Sequence, residues 1–357
     1  MKMPAKGFAM ATAAAVLLGA CAPQPPAGVT VLTYASPYGP AHPFSRADAA
    51  WMKWIEERSG GRMRIQPYWS SSVLSSEHSM TEIRHGVVDV GLITPIYARG
   101  GAHLIHVQAA YYAGLTTFPQ QVALYGCLER RDPQFGRELA GLEVLAVQGG
   151  NLPGIVTHNK PIHTLEDMRG LRLRAPAELL EVLRRFGADP VDMPMGEVYS
   201  ALAKGVLDGV VAPADTLRSL HFAEVADHFN TLRVPRGAYA ARAIGQRRWE
   251  ALTDAERAIL REGIAIWERE LERQLHQAEI AGVAAARDND MVFVAPSSED
   301  TRRFLGIYNE VAEHNARAAS RFGIDGLSLF RYARSVVTRA VATGRVECAP
   351  ENTGEKE

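Results

Sequence analysis

A short strand that ends in a permanent cation is the feature that most constrains this chain. Residues 161–176 read PIHTLEDMRGLRLRAP, which we interpret as a loop, a short helix, a glycine turn and a strand. Leucines alternate there with Arg172 and Arg174, so the two arginines share one face of the sheet. Pro176 stops the strand and leaves Arg174 at its carboxyl end, the edge at which open α/β sheets bind small ligands. The pattern alone fits either a carboxylate anchor or an arginine paired with a structural Asp or Glu.

Residues on both sides of this strand follow the spacing of one known family. They lie at 85–89, 165–167, 170–174, 187–188, Pro190, Met193, 197–199, 201–202 and 205–209. The series resembles the solute-binding proteins of tripartite ATP-independent periplasmic (TRAP) transporters, in their dicarboxylate-type branch. The resemblance extends over nearly all of the chain after its N-terminal segment. It implies a two-lobed α/β fold like that of periplasmic binding proteins, with a hinge and a long helix that spans both lobes, and it gives Arg174 the role of holding a ligand carboxylate.

The resemblance also implies a pocket, and this chain departs from the family there. Many members carry a second arginine where this chain has Gly154, and an asparagine where it has Ala212. One charged anchor in a mostly apolar pocket is therefore expected, which favours a carboxylate with an apolar or aromatic body over ligands with a second carboxylate or many hydroxyls. Each apolar position alone would also suit a hydrophobic core. The expected ligand-binding residues are Arg174, Glu77, Trp69, Ile93, Thr94, Gly154, Met195, Ala212, Pro37 and Tyr38.

The N-terminus has the pattern of a targeting segment. Lys2 and Lys6 precede a short apolar run at 7–18, which is too short for a permanent membrane span. Residues 18–21 read LGAC, the form of a bacterial lipoprotein cleavage site, which predicts a lipid on Cys21. We expect a signal peptide at 1–20, a Pro-rich lipidated tether at 21–28 and a periplasmic protein held on a bacterial membrane. An ordinary signal peptide with an incidental cysteine is the alternative.

Length, charge and cysteine content bound the remaining possibilities. The chain has 357 residues and a net charge of −1, with no basic excess of the kind that nucleic-acid binding requires. The length favours two domains, and the resemblance places lobe I at 29–151 and 240–279, lobe II at 152–239 and 280–345, and a tail at 346–357. Cys127 and Cys348 form an even pair for an oxidising compartment, but their pairing stays open at this stage.

Hydrophobic periodicity predicts alternating strands and helices, typical of a largely parallel sheet. The strands fall at 29–34, 62–68 and 87–93, and the helices at 45–59 and 77–84. In the first helix Ala49, Met52 and Ile55 are expected on the buried face. Thr253 and Glu256 form a capping box at the start of a helix that is predicted to run to about residue 288. The helix–Gly–strand unit at 85–89 recurs at 204–208, as expected if two similar lobes each use it once.

The sequence contains no recognisable catalytic motif, and no cofactor is expected. The expected partners are a small organic acid and the membrane permease of a TRAP transporter, with the binding protein itself a monomer. Two other functions fit parts of the sequence. One is a sensory or scaffold lipoprotein that has lost transport, and the other is an enzyme on a two-lobed fold, for which only Glu77 offers an acid near the pocket.

Overall fold

The computed structural model describes residues 28–348, which form two mixed β-sheets surrounded by helices. The first sheet has the strand order β2-β1-β3-β10-β4 and the second has the order β11-β9-β5-β8-β6-β7. The chain passes to the second sheet after β4, returns with β10, and crosses again before β11. The strands are β1 (Thr30–Ala35), β2 (Met63–Tyr68), β3 (Val90–Leu92), β4 (Leu142–Gln148), β5 (Gly154–Thr157), β6 (Arg172–Arg174), β7 (Asp189–Val191), β8 (Gly209–Ala212), β9 (His228–Asn230), β10 (Tyr239–Gly245) and β11 (Val292–Val294).

Helices cover both sheets, and within each sheet a set of parallel strands points its carboxyl ends toward the other sheet. β1 pairs in parallel with β2 and β3, and β6 pairs in parallel with β7 and β8. The expected α/β class is confirmed, but the sheets are mixed and not largely parallel, because β10 and β5 each pair antiparallel with both of their neighbours. The helices are α1 (Pro43–Arg58), α2 (Ser79–Arg84), α3 (His103–Gln108), α4 (Phe118–Arg131), α5 (Gln134–Glu138), α6 (Leu180–Arg185), α7 (Val198–Ala203), α8 (Asp215–Ser219), α9 (Gln246–Glu250), α10 (Asp254–Glu262), α11 (Ile264–Asp288), α12 (Ser298–Ala318) and α13 (Gly326–Thr343).

The predicted long helix is present as two helices in succession, α10 and α11, which meet at Gly263. Thr253 and Glu256 form the expected capping box at the start of α10. A side chain at Gly263 would bring its Cβ within 2.7 Å of Nε1 of Trp51, so this glycine allows the helix junction to lie against α1. α11 then packs against α1 beside the first sheet and against α8 beside the second, and so spans both halves of the molecule.

The buried face of α1 differs from the one that periodicity predicted. Met52 and Ile55 are buried as expected, but Ala49 is exposed, and Trp51 lies in the core in its place. The same face also buries Asp48, an acidic residue that an apolar pattern cannot predict.

Asp48 is the centre of a buried charged cluster at the junction of α1, β10 and α11. Its carboxylate accepts hydrogen bonds from Arg242 at 2.7 and 3.1 Å. It also accepts from Nε1 of Trp267 at 2.8 Å and from the hydroxyl of Tyr34 at 2.5 Å. Arg242 donates a further bond to Gln148 at 3.1 Å. Both charges of this Asp48 cluster are thus paired and well bonded, as buried charges must be.

The pairing of the two cysteines, which the sequence left open, is a disulfide in the structure. Cys127 of α4 is bonded to Cys348, across a sequence separation of 221 residues. The bond fixes the segment after α13 onto α4, against which α13 already packs. The predicted signal peptide, the predicted lipidation site Cys21, nearly all of the predicted tether and the tail beyond Cys348 lie outside the described residues. Within 28–348, no helix combines the length and the apolar character needed to cross a membrane.

Candidate functional site

A small enclosed cavity lies where the carboxyl ends of the parallel strands of the two sheets face each other. Its volume is about 90 Å³. The first sheet contributes residues that follow β1 and β3 or begin β10, and the second contributes the ends of β6 and β8. The walls are mainly apolar, with tyrosine hydroxyls and three charged side chains among them. The lining includes Tyr38, Phe44, Ile96, Tyr97, Arg174, Glu178, Leu179, Met195, Val211, Arg236 and Tyr239.

Arg174 is the most buried charge in this cavity and is only 2% exposed. It is the last residue of β6, where the sequence placed it, and its guanidinium reaches across to the first sheet. Nε donates to the carbonyl oxygen of Met193 at 2.8 Å, and Nη2 donates to the hydroxyl of Tyr97 at 2.6 Å. Both acceptors are neutral, so these bonds orient the guanidinium without compensating its charge.

The alternative interpretation of Arg174 is an arginine paired with a structural Asp or Glu. Two other arginines of the chain have such a pair. Arg242 is paired with Asp48 in the buried cluster, and Arg172, at the start of β6, pairs with Asp208 at 3.1 Å on the exposed edge. Among residues 28–348, Arg174 forms no direct ion pair with a carboxylate, although Glu178 and Asp192 lie near enough for its charge to oppose the rise in their pKa values. A buried cation without a direct ion pair is costly, because the loss of its hydration is offset only in part by more distant charges. The cavity is therefore suited to receive an anion.

Arg236 is a second cation of the cavity, which sequence reasoning missed. It lies in the irregular segment between β9 and β10, and it is half-buried. Its Nη1 is 3.5 Å from the carbonyl oxygen of Asn151, at the outer limit of a hydrogen bond. Gly150 leaves the space for this side chain, since a Cβ there would lie 2.7 Å from the Arg236 Cζ. The expectation of a single charged anchor is thus wrong.

The position at which many relatives carry their second arginine cannot hold a side chain in this structure. A Cβ on Gly154 would lie 2.4 Å from the carbonyl oxygen of Asn230 and 2.6 Å from the ring of Phe229. Gly154 is buried at the start of β5 and faces away from the cavity toward a separate cleft. The second cation of the cavity, Arg236, comes from a different segment of the chain.

Glu178 is the acid of the cavity and was also missed. It follows Pro176 in a short 3-10 turn, and the accessible part of its side chain faces the cavity. Burial raises the pKa of Glu178 to about 7, while Arg174 and Arg236 act in the opposite direction. The carboxyl group is thus close to half-protonated at neutral pH, which is unusual for a glutamate.

An aromatic wall closes the cavity on the side of the first sheet. The ring of Tyr38 stacks on His42 at 4.0 Å and meets Phe44 edge-on at 5.5 Å. Nδ1 of His42 accepts a hydrogen bond from the backbone NH of Phe44, so the proton of the neutral ring is on Nε2. Burial lowers the pKa of His42 to about 3, and this ring adds no charge near the cavity at neutral pH.

Of the ten residues predicted to bind ligand, Tyr38, Arg174 and Met195 line this cavity. Two others belong to hydrophobic cores, since Ile93 and Ala212 have no exposed surface. The role of the remaining residues in ligand binding stays a prediction. The seven that do not line the cavity in this conformation are Glu77, Trp69, Ile93, Thr94, Gly154, Ala212 and Pro37.

Several of these residues have structural partners. Glu77 pairs with Arg99 at 2.8 Å on the surface. The backbone NH of Thr94 donates to the hydroxyl of Ser79 at 3.0 Å. Trp69 lies edge-on to Tyr34 at 5.6 Å.

Pro37 lies in the turn after β1, next to Tyr38. Its carbonyl oxygen accepts a hydrogen bond from the hydroxyl of Ser71 at 3.4 Å. This bond ties the turn to the segment after β2.

A larger cleft of about 840 Å³ lies on the other side of the segments that connect the sheets, along α11. Its charged residues are of both signs, with Arg233 and Arg287 together with Glu272 and Glu279 in its lining. Volume alone would favour this cleft as the ligand site. We assign the site to the smaller cavity, because it lies between the carboxyl ends of the two sheets' strands and holds a buried arginine without a direct ion pair.

Two sheets that face each other across a ligand-sized cavity, joined by crossing segments and a shared helix, define the class of two-lobed solute-binding proteins. The comparison with protein families gives the same result. Residues 35–317 match the model of the bacterial extracellular solute-binding proteins, family 7, and the chain belongs to this family. The resemblance to TRAP transporter binding proteins that the sequence indicated is thereby confirmed.

Individual relatives are distant in sequence but close in fold. A solute-binding protein of Albidiferax ferrireducens is 27% identical over 193 residues, which are 52% of this chain and 54% of that protein, so the chain spans about half of that relative. A TRAP solute-binding protein from Rhodoferax ferrireducens T118, solved with copurified benzoate, has a TM-score of 0.80 at 22% identity and covers 89% of this chain and 100% of its own. One from Bordetella bronchiseptica, with bound mandelate, has a TM-score of 0.75 at 21% identity, with coverage of 87% and 99%. At these identities the structural likeness establishes the fold.

Proposed function

We propose that this protein captures a small organic monocarboxylate with an apolar or aromatic body and delivers it to the membrane permease of a TRAP transporter. The observation that carries the proposal is Arg174, a buried guanidinium that neutral acceptors orient and that makes no direct ion pair, at the wall of the cavity between the sheets. A ligand carboxylate supplies the missing negative charge, and the planar fork of the guanidinium suits its two oxygens.

The size and walls of the cavity support a compact ligand body. An apolar cavity of about 150 Å³ can accept benzene, and the cavity here has about 90 Å³. The cavity in this conformation is smaller than that benchmark, so a single ring needs a modest widening of the cavity and a nine-carbon sugar acid needs a much larger one. Phe44, Ile96, Met195 and Val211 provide apolar contacts, each buried CH₂ contributing about 0.8 kcal/mol. Benzoate and mandelate, bound by the two structural relatives described above, belong to this size class.

A second ligand carboxylate remains unfavourable although the cavity has two cations. The cavity has only about 90 Å³ for the whole ligand. A dicarboxylate would place two anions within that small volume, and the desolvation of the extra charge costs several kcal/mol. The expected selection against dicarboxylates thus rests on volume and desolvation, not on the absence of a second cation.

Capture by hinge closure accounts for the position of Arg174 between the sheets. We propose that lobe I (29–151 and 240–279) and lobe II (152–239 and 280–345) rotate about the crossing segments and α11. Arg174 of the second sheet donates to Tyr97, which follows β3 of the first, so the anchor itself bridges the two sheets. Contacts that a ligand makes only in the closed state shift the population toward closure. α13 packs against α3 and α4, and these contacts restrain the movement of α13 relative to the two helices.

A thermal-shift screen against carboxylic acids tests the proposed ligand class. We expect benzoate, mandelate and branched monocarboxylates to stabilise the protein, by about 2.7 kcal/mol at about 100 times the dissociation constant. Succinate and sialic acid serve as the matched dicarboxylate and sugar-acid comparisons, and we expect little response to either. Tight succinate or sialic acid binding, with no response to any monocarboxylate, would contradict the proposal.

We further propose that the protein is anchored by lipid at Cys21, in the periplasmic space. The supporting pattern is the LGAC motif at 18–21, after a short apolar run. The Cys21→Ala variant is expected to move from the detergent phase to the aqueous phase. Several acyl chains attach a lipoprotein stably to a membrane, and the variant has no cysteine to carry them. If the variant stays in the detergent phase, as wild type does, the lipid is absent or attached elsewhere.

A further inference from the structure

Glu178 faces the cavity together with two arginines, and the family comparison gives it no role. We propose that Glu178 is a ligand-contacting acid that takes up one proton from solvent when a carboxylate binds Arg174, so that capture is tighter at acidic than at alkaline pH. The inference rests on the function proposed above, because it assigns a further role within the same cavity.

The position of Glu178 follows from the chain direction after β6. Pro176 ends the strand that carries Arg174, and the 3-10 turn Ala177–Leu179 then folds back over the cavity. Glu178 and Leu179 both line it, so the acid lies on the same wall as the apolar contacts. Among the described residues, the Glu178 carboxyl forms no hydrogen bond or ion pair with another residue. It is therefore available to a ligand.

The charged surroundings of Glu178 are mixed. Burial is the main reason that its pKa is raised to about 7, and Asp192 adds to this effect. The tyrosines Tyr38 and Tyr239 have pKa values raised by burial, so they stay neutral in the physiological range. The groups that face Glu178 or its neighbours are Arg174 on β6, Arg236 before β10, Asp192 after β7, Tyr308 on α12, and His106 on α3, which lies near Asp192.

A bound ligand carboxylate is expected to raise the pKa of Glu178 further. Its negative charge pairs with Arg174 and lies close to Glu178, and an added anion disfavours the ionised form of a neighbouring carboxyl group. Glu178 then takes a proton from the buffer onto one carboxylate oxygen, and no other bond is made or broken. The protonated group can donate a hydrogen bond to the ligand carboxylate, whereas the ionised group can only accept.

The sign of the pH dependence follows from linkage. The complex binds more protons than the free protein between the Glu178 pKa of the free protein, about 7, and the higher pKa of Glu178 in the complex, so the association constant falls as pH rises through that window. At full uptake of one proton the slope is about tenfold per pH unit. Below about pH 7 Glu178 becomes protonated in both states, and the affinity becomes nearly independent of pH.

Calorimetric titration of the full-length protein with benzoate and mandelate tests this inference. Titrations at about pH 8 in phosphate and in Tris, whose ionisation enthalpies differ, count the protons taken up on binding. We expect uptake approaching one proton for wild type and a loss of affinity of about tenfold between about pH 7.5 and pH 8.5. The wild-type proton count depends on no variant, so it tests the inference even if a variant folds poorly.

Two variants assign the proton to Glu178. Glu178→Gln keeps a hydrogen-bond donor but cannot titrate, so we expect no proton uptake and an affinity that does not change with pH. Glu181→Gln is the matched control, since Glu181 lies nearby on α6, exposed and paired with Arg185 at 3.2 Å, and its loss should leave the proton count unchanged. Binding without proton uptake by wild type, or uptake that persists in Glu178→Gln, overturns the inference and leaves the proposed function standing. Failure of every acid of the screen to bind overturns the proposed function itself.

Discussion

The Arg174→Ala variant is expected to lose ligand-induced stabilisation while the protein stays folded. Truncation of one partner of a buried, hydrogen-bonded charge pair costs about 2–5 kcal/mol, which corresponds to a loss of affinity of about 30-fold or more. The ligand-free protein should keep most of its stability, because Arg174 makes no direct ion pair, so relief of its desolvation cost offsets the loss of its two hydrogen bonds to neutral acceptors. Calorimetric titration gives the affinity, and thermal unfolding without ligand gives the stability.

Two further variants separate charge from geometry. Arg174→Lys keeps the positive charge but loses the planar fork, so we expect binding between that of wild type and that of the alanine variant. Arg172→Ala is the matched control on the same strand, since Arg172 is exposed and paired with Asp208, and its affinity should equal that of wild type. An alanine variant at position 174 that binds as tightly as wild type would show that another group, with Arg236 the first candidate, holds the carboxylate.

The Asp48→Asn variant is expected to show the largest loss of stability among single substitutions in the charged network. Asp48 is the one acid bonded to Arg242 in the described chain, and both side chains are almost fully excluded from solvent. Removing one partner of a buried ion pair leaves an uncompensated charge and costs about 3–5 kcal/mol. Denaturant unfolding measures the effect as a lower midpoint and a lower free energy of unfolding.

Glu57→Gln is the matched control for this prediction. Glu57 lies on the same helix and makes only an exposed pair with Lys53 at 3.7 Å, so its loss should cost less than about 1 kcal/mol. The double variant Asp48→Leu/Arg242→Met removes both charges and should recover much of the lost stability. If Asp48→Asn is as mild as the control, the Asp48 cluster is not the stabilising core contact that its geometry indicates.

Local patterns in the sequence located several elements of the fold and the position of Arg174. Alternation placed Arg174 at the end of a strand, and the capping box at Thr253 placed the start of α10. These features depend on neighbours within a few residues, which a sequence displays directly. The resemblance to TRAP transporter binding proteins then implied the two-lobed arrangement and a ligand site between the lobes.

The roles of the residues that the sequence did not predict depend on contacts between distant segments. Arg236 comes from an irregular segment without periodicity, and only the folded structure shows that its side chain lines the cavity. Asp48 interrupts an apolar helix face, and its partner Arg242 is 194 positions away. The comparison of Gly154 with the family's second arginine could not show that the backbone of β9 fills the space that a side chain would need there. Such contacts are set by packing and not by local pattern.

A crystal structure of the protein with benzoate or mandelate tests most directly the central claim that the Arg174 cavity is the ligand site. We predict the ligand carboxylate within hydrogen-bond distance of the Arg174 guanidinium, with its ring against Phe44 and Met195 and with Glu178 at contact distance. A ligand seated instead in the open cleft along α11, with the Arg174 guanidinium still bonded only to Tyr97 and the Met193 carbonyl, would contradict the account.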